Sequence, residues 1–452
     1  MLPVELLKSL QNVTGFDKEA FEKVHASGEQ VTSVRMNPAN KCEIKNVQSP
    51  VPWSQFGYYL NQRPSFTFDP LFHAGCYYVQ EASSMFLEQA LKQTVDLSQP
   101  LKVLDFCAAP GGKSTHIQSL LSPNSILVSN EIIKSRNNIL IDNIIKWGCN
   151  NVVVTQNDAK GFAAFEDYFD VIVADAPCSG SGLFHRHEEA IDEWSLNNVQ
   201  LCCQRQQRIL ADILPALKKD GVLIYSTCSY SKEEDEDIMQ WLMQENDMQN
   251  LELEVQDYWN IVKTFSENNQ GIGYRFFPDK VKGEGFFLAC FKKNGGGQFV
   301  KPRHLKKPDL LSKKEIEIIR PWIRDAGFGY YHFFENAVIL PAGLQEELNI
   351  IYSKLRVTYF GTKAGAVMHD KLIPDHALAM SNLVASSLKP IELTQEQAIK
   401  YLQRKEMDVE IKQKGWQLVS YKDHPLGWIN VLPNRINNYY PKALRILKEF
   451  IN

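Results

Sequence analysis

Residues 101–115, LKVLDFCAAPGGKST, decide the fold: a short apolar run ends on Asp105, a turn carries Gly111 and Gly112, and a helix-forming stretch follows. Strand, glycine turn and helix in that order form the opening unit of a parallel sheet covered by helices. The glycines let the backbone approach a ligand at a helix start with no Cβ in the way. Outward from this unit, apolar runs recur at 126–130 (ILVSN), 152–155 (VVVT), 170–174 (DVIVA) and 222–226 (VLIYS), with a later pair near 274–277 and 286–291. Helices are expected near 114–121, 134–147, 197–217 and 233–244. The fold class predicted for residues 96–293 is α/β, a doubly wound Rossmann-like domain.

Ligands of such a sheet sit beyond the carboxyl ends of its strands. The turn after strand one supplies Cys107, Ala108, Ala109, Pro110, Gly111, Gly112 and Lys113; Glu131 follows strand two, Asp158 strand three and Asp175 strand four. The turn matches neither the G-x-G-x-x-G fingerprint nor a P-loop, which disfavours NAD and ATP. An acid at the second strand end can accept both ribose hydroxyls, and Asp158 can accept from an adenine amino group. For any one acid a loop or helix-cap role is simpler; three at consecutive strand ends favour a nucleotide-like ligand. Two strand ends also carry thiols, Cys178 in DAPCSGSG and Cys228 in YSTCSYS, and neighbouring strands would place both in one pocket. A free cysteine is more often a small buried hydrophobe, the role given to the thiols of Cys107, Cys149, Cys202, Cys203 and Cys290. Position does not divide the labour between Cys178 and Cys228.

At 452 residues and 44% hydrophobic content, the chain has material for two to four domains. It contains no apolar run of about 18 residues, and MLPVELLKSLQNVTGF lacks the features of a signal peptide, so the cytoplasm is the expected compartment. Nine scattered cysteines with no C-x-x-C pair argue against a disulfide framework and a structural zinc site, and no metal is expected. The net charge of -4 does not by itself mark a nucleic-acid binder, so any basic surface must be local. Lys292, Lys293, Lys301, Arg303, Lys306 and Lys307 form such a run around Gly295–Gly297, read as a linker over 294–308. The acids of EEDED (233–237) read as a helix start after Ser231 as cap. Residues 1–95 are mixed α+β, 309–388 a second α+β region, and 389–452 a small β-rich module. In that module GWQLVSYKDHPLGWINVLP (415–433) reads as two strands around a KDHP turn.

VLDFCAAPGGKSTHI, DVIVADAPCSGSGLF and YSTCSY resemble motifs of the RNA 5-methylcytosine methyltransferases of the bacterial Sun/NOP2 family, and GCYYVQEASSMF (75–86) resembles that family's entry to its catalytic domain. The resemblance spans roughly residues 30–292. It implies a class I methyltransferase with S-adenosylmethionine held by the 107–113 turn, Glu131, Asp158 and Asp175, with Arg136 as a further helper. It also implies a nucleophile at Cys228 and a role in product release for Cys178. The chemistry agrees: carbon 5 of cytosine is a weak nucleophile, and a thiolate adding at carbon 6 makes it an enamine. Asp175 can then stabilise charge at ring nitrogen 3.

GWINVLPNRINNYYPKALRI (427–446) is similar to the RNA-binding tail, with a PUA-like module, of the subgroup acting on 16S ribosomal RNA. Its Arg435, Tyr439, Tyr440, Lys442 and Arg445 mix cations with rings, suited to phosphates and bases or, for the rings, to packing. RNA is the expected partner, contacted through 1–95, the basic linker and 389–452. The rival readings are a transfer RNA substrate and a ribosome-assembly protein that binds RNA without turnover; the intact Asp175, Cys178 and Cys228 speak against the latter.

Overall fold

The structure is a computed structural model that describes all residues except 1, 187–188, 325–326, 408, 410–412 and 450–452. Its centre is a parallel sheet of β1 (Lys102–Asp105), β2 (Ile126–Asn130), β3 (Val152–Thr155), β4 (Phe169–Asp175) and β5 (Leu217–Thr227). Their order is β3-β2-β1-β4-β5, so the direction of winding reverses between β1 and β4. Alternate residues of each strand enter separate cores on the two faces: Leu104, Val128 and Ile172 on one, Val103, Leu127 and Val171 on the other. Burial on both faces is why these strands read as unbroken apolar runs.

The helices that follow β1 and β2 are α1 (Gly112–Leu120) and α2 (Lys134–Trp147); α3 (Leu196–Ile213) precedes β5 and α4 (Glu236–Glu245) follows it. The helix expected to run to 217 stops at Ile213, because Pro215 cannot continue it, and Leu217 already belongs to β5. Antiparallel strands β6 (Met248–Leu251), β7 (Val262–Phe265), β8 (Ile272–Phe276) and β9 (Phe286–Lys293) extend the sheet beyond β5.

The other edge holds a strand from far along the chain. β10 (Val357–Phe360) pairs antiparallel with β3, Tyr359 opposite Val154. The region 309–388 therefore shares the central sheet, while its remaining strands, Phe328–Phe333, Asn336–Pro341, Thr362–Met368 and Lys371–Pro374, form a sheet of their own. The N-terminal region and the C-terminal module also share a core: Val34, Leu60, Leu71 and Tyr77 pack with Leu393, Tyr401, Val419 and Ile429. In the C-terminal module, strands Gly415–Tyr421 and His424–Leu432 pair antiparallel about Lys422 and Asp423, as their alternation predicts.

The 292–308 segment is strapped to the surface. Lys292 pairs with Asp220 at 2.8 Å, Lys293 with Asp167 at 3.3 Å and Lys301 with Glu346 at 2.7 Å, while the Phe299 ring packs at a tilt against Tyr168. Half of the basic run is thus neutralised within the chain.

Candidate active site

The turn after β1 enters α1 through Gly111, whose φ of +111° lies in the left-handed region that favours glycine. A Cβ on Gly112 would stand 3.3 Å from the Tyr78 ring. The turn is gripped by its carbonyl oxygens: Arg136 donates to Ala109 O at 2.9 Å, Asn143 to Pro110 O at 2.9 Å and Arg35 to Gly112 O at 3.2 Å. A cleft opens beside it, lined by Tyr78, Gln80, Glu81, Cys107, Ala108, Ala109, Pro110, Gly112, Lys113 and Asp175. Its outer wall thus comes from GCYYVQEASSMF. Buried Arg35 braces that wall, bonding Gln80 Oε1 at 2.7 Å and Thr115 Oγ1 at 2.6 Å.

Glu131 and Asp158 lie at the ends of β2 and β3, beyond the lining of this cleft. Glu131 is buried, accepts from Ile133 N at 2.9 Å, and faces Arg136 at 3.6 Å. Asp158 is exposed and caps the short helix Ala159–Phe165 by accepting from Lys160 N at 3.1 Å. The cap role weighed against ligand binding is thus occupied by one of its oxygens. Asp175 ion-pairs with Lys113 at 2.8 Å and accepts from Ser226 Oγ at 2.8 Å. Burial works against the Lys113 charge, yet Asp175 and the nearby Cys228 hold its pKa above the ordinary lysine value.

Asp105, at the end of β1, is an acid that the sequence reading passed over. It is fully buried, accepts from Ser114 Oγ at 2.6 Å and has its other oxygen unpartnered. Burial pushes its pKa up to about 7 against the Ser114 hydrogen bond, with Asp175 adding to the rise. Its place at the end of an apolar strand was the available signal.

Parallel pairing of β4 with β5 sets Asp175 opposite Ser226, and the two chains then leave the sheet side by side. Ala176 N donates to Ser226 O and Gly182 N to Cys228 O, both at 2.8 Å. Cys178 and Cys228, both half-buried, meet with their sulfurs 2.9 Å apart. The hydrogen bond to Cys228, reinforced by burial, drives the Cys178 pKa well above the ordinary thiol value.

The run 233–237 does lead into a helix, but Ser231 does not cap it. Lys232–Glu234 form one tight turn, Ser231 makes no side-chain cap bond, and α4 begins at Glu236. Glu234, Asp235 and Glu236 point inward and are 0%, 0% and 3% exposed. Arg275 answers two of them, with Asp235 at 3.0 Å and Glu236 at 2.5 Å, and donates to Tyr230 O at 3.0 Å. Partners so distant in sequence left no local signal.

Three family descriptions match parts of the chain in order: the N-terminal domain of 16S rRNA methyltransferase RsmF over residues 2–82, 16S rRNA methyltransferase RsmB/F over 92–292, and the methyltransferase RsmF PUA domain over 389–446. The chain belongs to the RsmB/F methyltransferase family. Family relatives named ribosomal RNA small subunit methyltransferase F include one from Aeromonas salmonicida, 30% identical over 428 residues that cover 87% of this chain and 84% of the relative. Another, from Shewanella piezotolerans, is 28% identical over 414 residues, covering 87% and 85%. A methyltransferase homologue from Pyrococcus horikoshii matches in structure with a TM-score of 0.50 and 27% identity, over 65% of this chain and all of that one. NSun6 from the same organism, crystallised with SFG, shares the fold at a TM-score of 0.52 and 20% identity, covering 65% and 98%.

In the C-terminal module, Tyr440 is 2% exposed and packs edge-on to Tyr401, so it is core and not a stacking surface. Tyr439 is 40% exposed and rests against Trp416.

Proposed function

We propose that this methyltransferase moves a methyl group from S-adenosylmethionine to carbon 5 of a cytosine in small-subunit ribosomal RNA. The observation that carries the reading is the 2.9 Å approach of Cys178 to Cys228, beside the Asp175–Lys113 pair. When bound, S-adenosylmethionine supplies an electrophilic methyl on a sulfonium. The left-handed glycine turn, the open cleft against Tyr78 and the exposed Asp158 suit it: the 107–113 backbone would hold it with Asp175, Glu131 its ribose and Asp158 its adenine.

Cys228 is the attacking thiol. The raised pKa of Cys178 disfavours it as the thiolate, so addition at carbon 6 of an extruded base falls to Cys228. The Asp175–Lys113 pair holds a proton for ring nitrogen 3 as charge builds there. Once the methyl is in place, the carbon 5 proton must leave and the Cys228–carbon bond must break. Bonding Cys228 to carbon removes the sulfur acceptor that held the Cys178 proton. Cys178 therefore becomes more acidic at the step where a base is needed.

RNA contact falls to the two flanking regions, with Tyr439, Arg435, Lys442 and Arg445 on the C-terminal side. Among the described residues no helix is long and apolar enough to cross a membrane, in keeping with work in the cytoplasm. The test is methyl transfer from labelled S-adenosylmethionine to small-subunit ribosomal RNA, assembled subunits and transfer RNA, with the product nucleoside identified by mass spectrometry. Label in 5-methylcytosine of the ribosomal substrate is expected. Label in another nucleoside, or in transfer RNA alone, overturns the reading.

A further inference from the structure

Glu234, a fully buried acid, makes no ion pair among the described residues and binds hydrogen-bond donors instead. Glu234 Oε1 accepts from Ser179 N at 2.7 Å; Oε2 accepts from Ser179 Oγ at 2.5 Å and from Ser229 Oγ at 2.6 Å. Ser179 is the residue after Cys178, and Ser229 the residue after Cys228. One carboxylate thus holds both thiol-bearing loops through the residue next to each sulfur. Gln206 of α3 completes the joint, donating to Pro177 O at 3.1 Å and to Glu234 Oε1 at 3.4 Å.

The carboxylate is itself fixed. Tyr225 OH donates to Glu234 O at 2.6 Å, and the next residue, Asp235, accepts from Thr227 Oγ1 at 2.6 Å. Four donors converge on this side chain at 0% exposure, an arrangement that favours an acceptor-only carboxylate. A solvated acid at a helix start would have needed none of these contacts.

We propose that Glu234 is the positioning residue of the thiol pair: it clamps the Cys178 and Cys228 loops together and, by its negative charge, keeps the pair's proton on Cys178. The inference rests on the covalent reading above for its catalytic meaning, but the clamp and its charge exist without RNA or cofactor. Burial holds the Glu234 pKa above the ordinary carboxylate value against the hydrogen bonds from Ser179 and Ser229, and when ionised its charge adds to the forces holding the Cys178 proton.

Glu234→Gln separates charge from shape. A glutamine can keep the Ser179 N bond, and the two hydroxyls can turn to accept from its amide, so the loops stay joined while the charge goes. In full-length protein, the rate of iodoacetamide capture at Cys178 and Cys228 is followed against pH by peptide mass spectrometry. Wild type should alkylate first at Cys228, with Cys178 reacting only at markedly higher pH. In Glu234→Gln that gap should narrow by at least one pH unit, and Glu234→Asp should restore part of it. Methyl transfer should fall about tenfold or more in kcat with KM for RNA within about twofold.

Should Glu234→Gln fail to fold, Ser179→Ala with Ser229→Ala replaces it: the charge stays while the clamp is cut, so the alkylation order should hold while kcat falls about tenfold. An unchanged alkylation profile in Glu234→Gln overturns the proposal, as does wild-type kcat in the Gln variant or in the double Ser variant. If methyl transfer proves not to use a thiol at all, the alkylation result still decides the clamp.

Discussion

The cofactor cleft and the thiol centre are neighbours built by opposite means. The turn after β1 is held by its carbonyl oxygens, through Arg136, Asn143 and Arg35, so the amide groups at the start of α1 stay free for a ligand. The loops after β4 and β5 are held by an amide and two hydroxyls, through Glu234, so their sulfurs are fixed relative to one another. A surface that must receive a ligand is gripped from behind. A pair of atoms that must keep a distance is clamped beside each member.

The contrast breaks most visibly at the thiols. Cys228→Ala should lose at least about 10⁴-fold in kcat and leave no RNA–protein adduct. Cys178→Ala should form the adduct and stall, giving a band shifted by the RNA on a denaturing gel. Trapping by Cys228→Ala would invert the assignment, and full activity in both variants would end covalent catalysis.

The buried acids that support the clamp should matter to folding. Arg275→Ala leaves Asp235 and Glu236 buried without their cation and should cost about 3–5 kcal/mol in denaturant unfolding. A loss under about 1 kcal/mol would show that these acids are not what holds the helix start.

Asp105 tests the cleft side by pH. Its pKa is raised from the ordinary carboxylate value to about 7, so between those two values the folded state holds a proton that the unfolded state has released. Stability should therefore fall as pH rises through that window and level off above it. Asp105→Asn should remove about 2–3 kcal/mol of the decline between pH 5 and 7, measured by denaturation at each pH. An unaltered slope would place the titration elsewhere.

The smallest effect is expected at Asp158, which is exposed and already spends one oxygen on a cap. Asp158→Ala should weaken S-adenosylmethionine binding about tenfold by calorimetry, the worth of one hydrogen bond to a charged group. Equal affinity would leave Asp158 as a cap alone.

The central strands and the glycine turn were legible because both signals are local: strands buried on two faces are continuous apolar runs, and a left-handed turn wants glycine. The meeting of Cys178 with Cys228 followed from parallel neighbours. Glu234 was not legible, since a run of acids reads as solvated until the Ser179, Ser229 and Arg275 partners are in place. Tyr440 gave no sign that its ring is core, because stacking and packing ask for the same residue. Nor was β10: VTYF at 357–360 has no local mark of belonging to a sheet built some 200 residues earlier. A cut at 309 removes a strand from the central sheet, so RNA affinity is better tested by truncation after 388.

That late strand also sets a clock on biosynthesis. When β3 leaves the ribosome, the outer edge of the sheet offers the backbone of Val152–Thr155, four buried residues in the finished protein, with no partner. At roughly 5–20 residues per second, the segment that covers it emerges roughly 10–40 s later. For that interval the nascent chain carries an open template for pairing with other chains. Slower synthesis relative to folding lengthens the exposure without repairing it, because the missing strand does not yet exist. Yield of this protein should then depend less on temperature than on whatever shields that edge while translation continues.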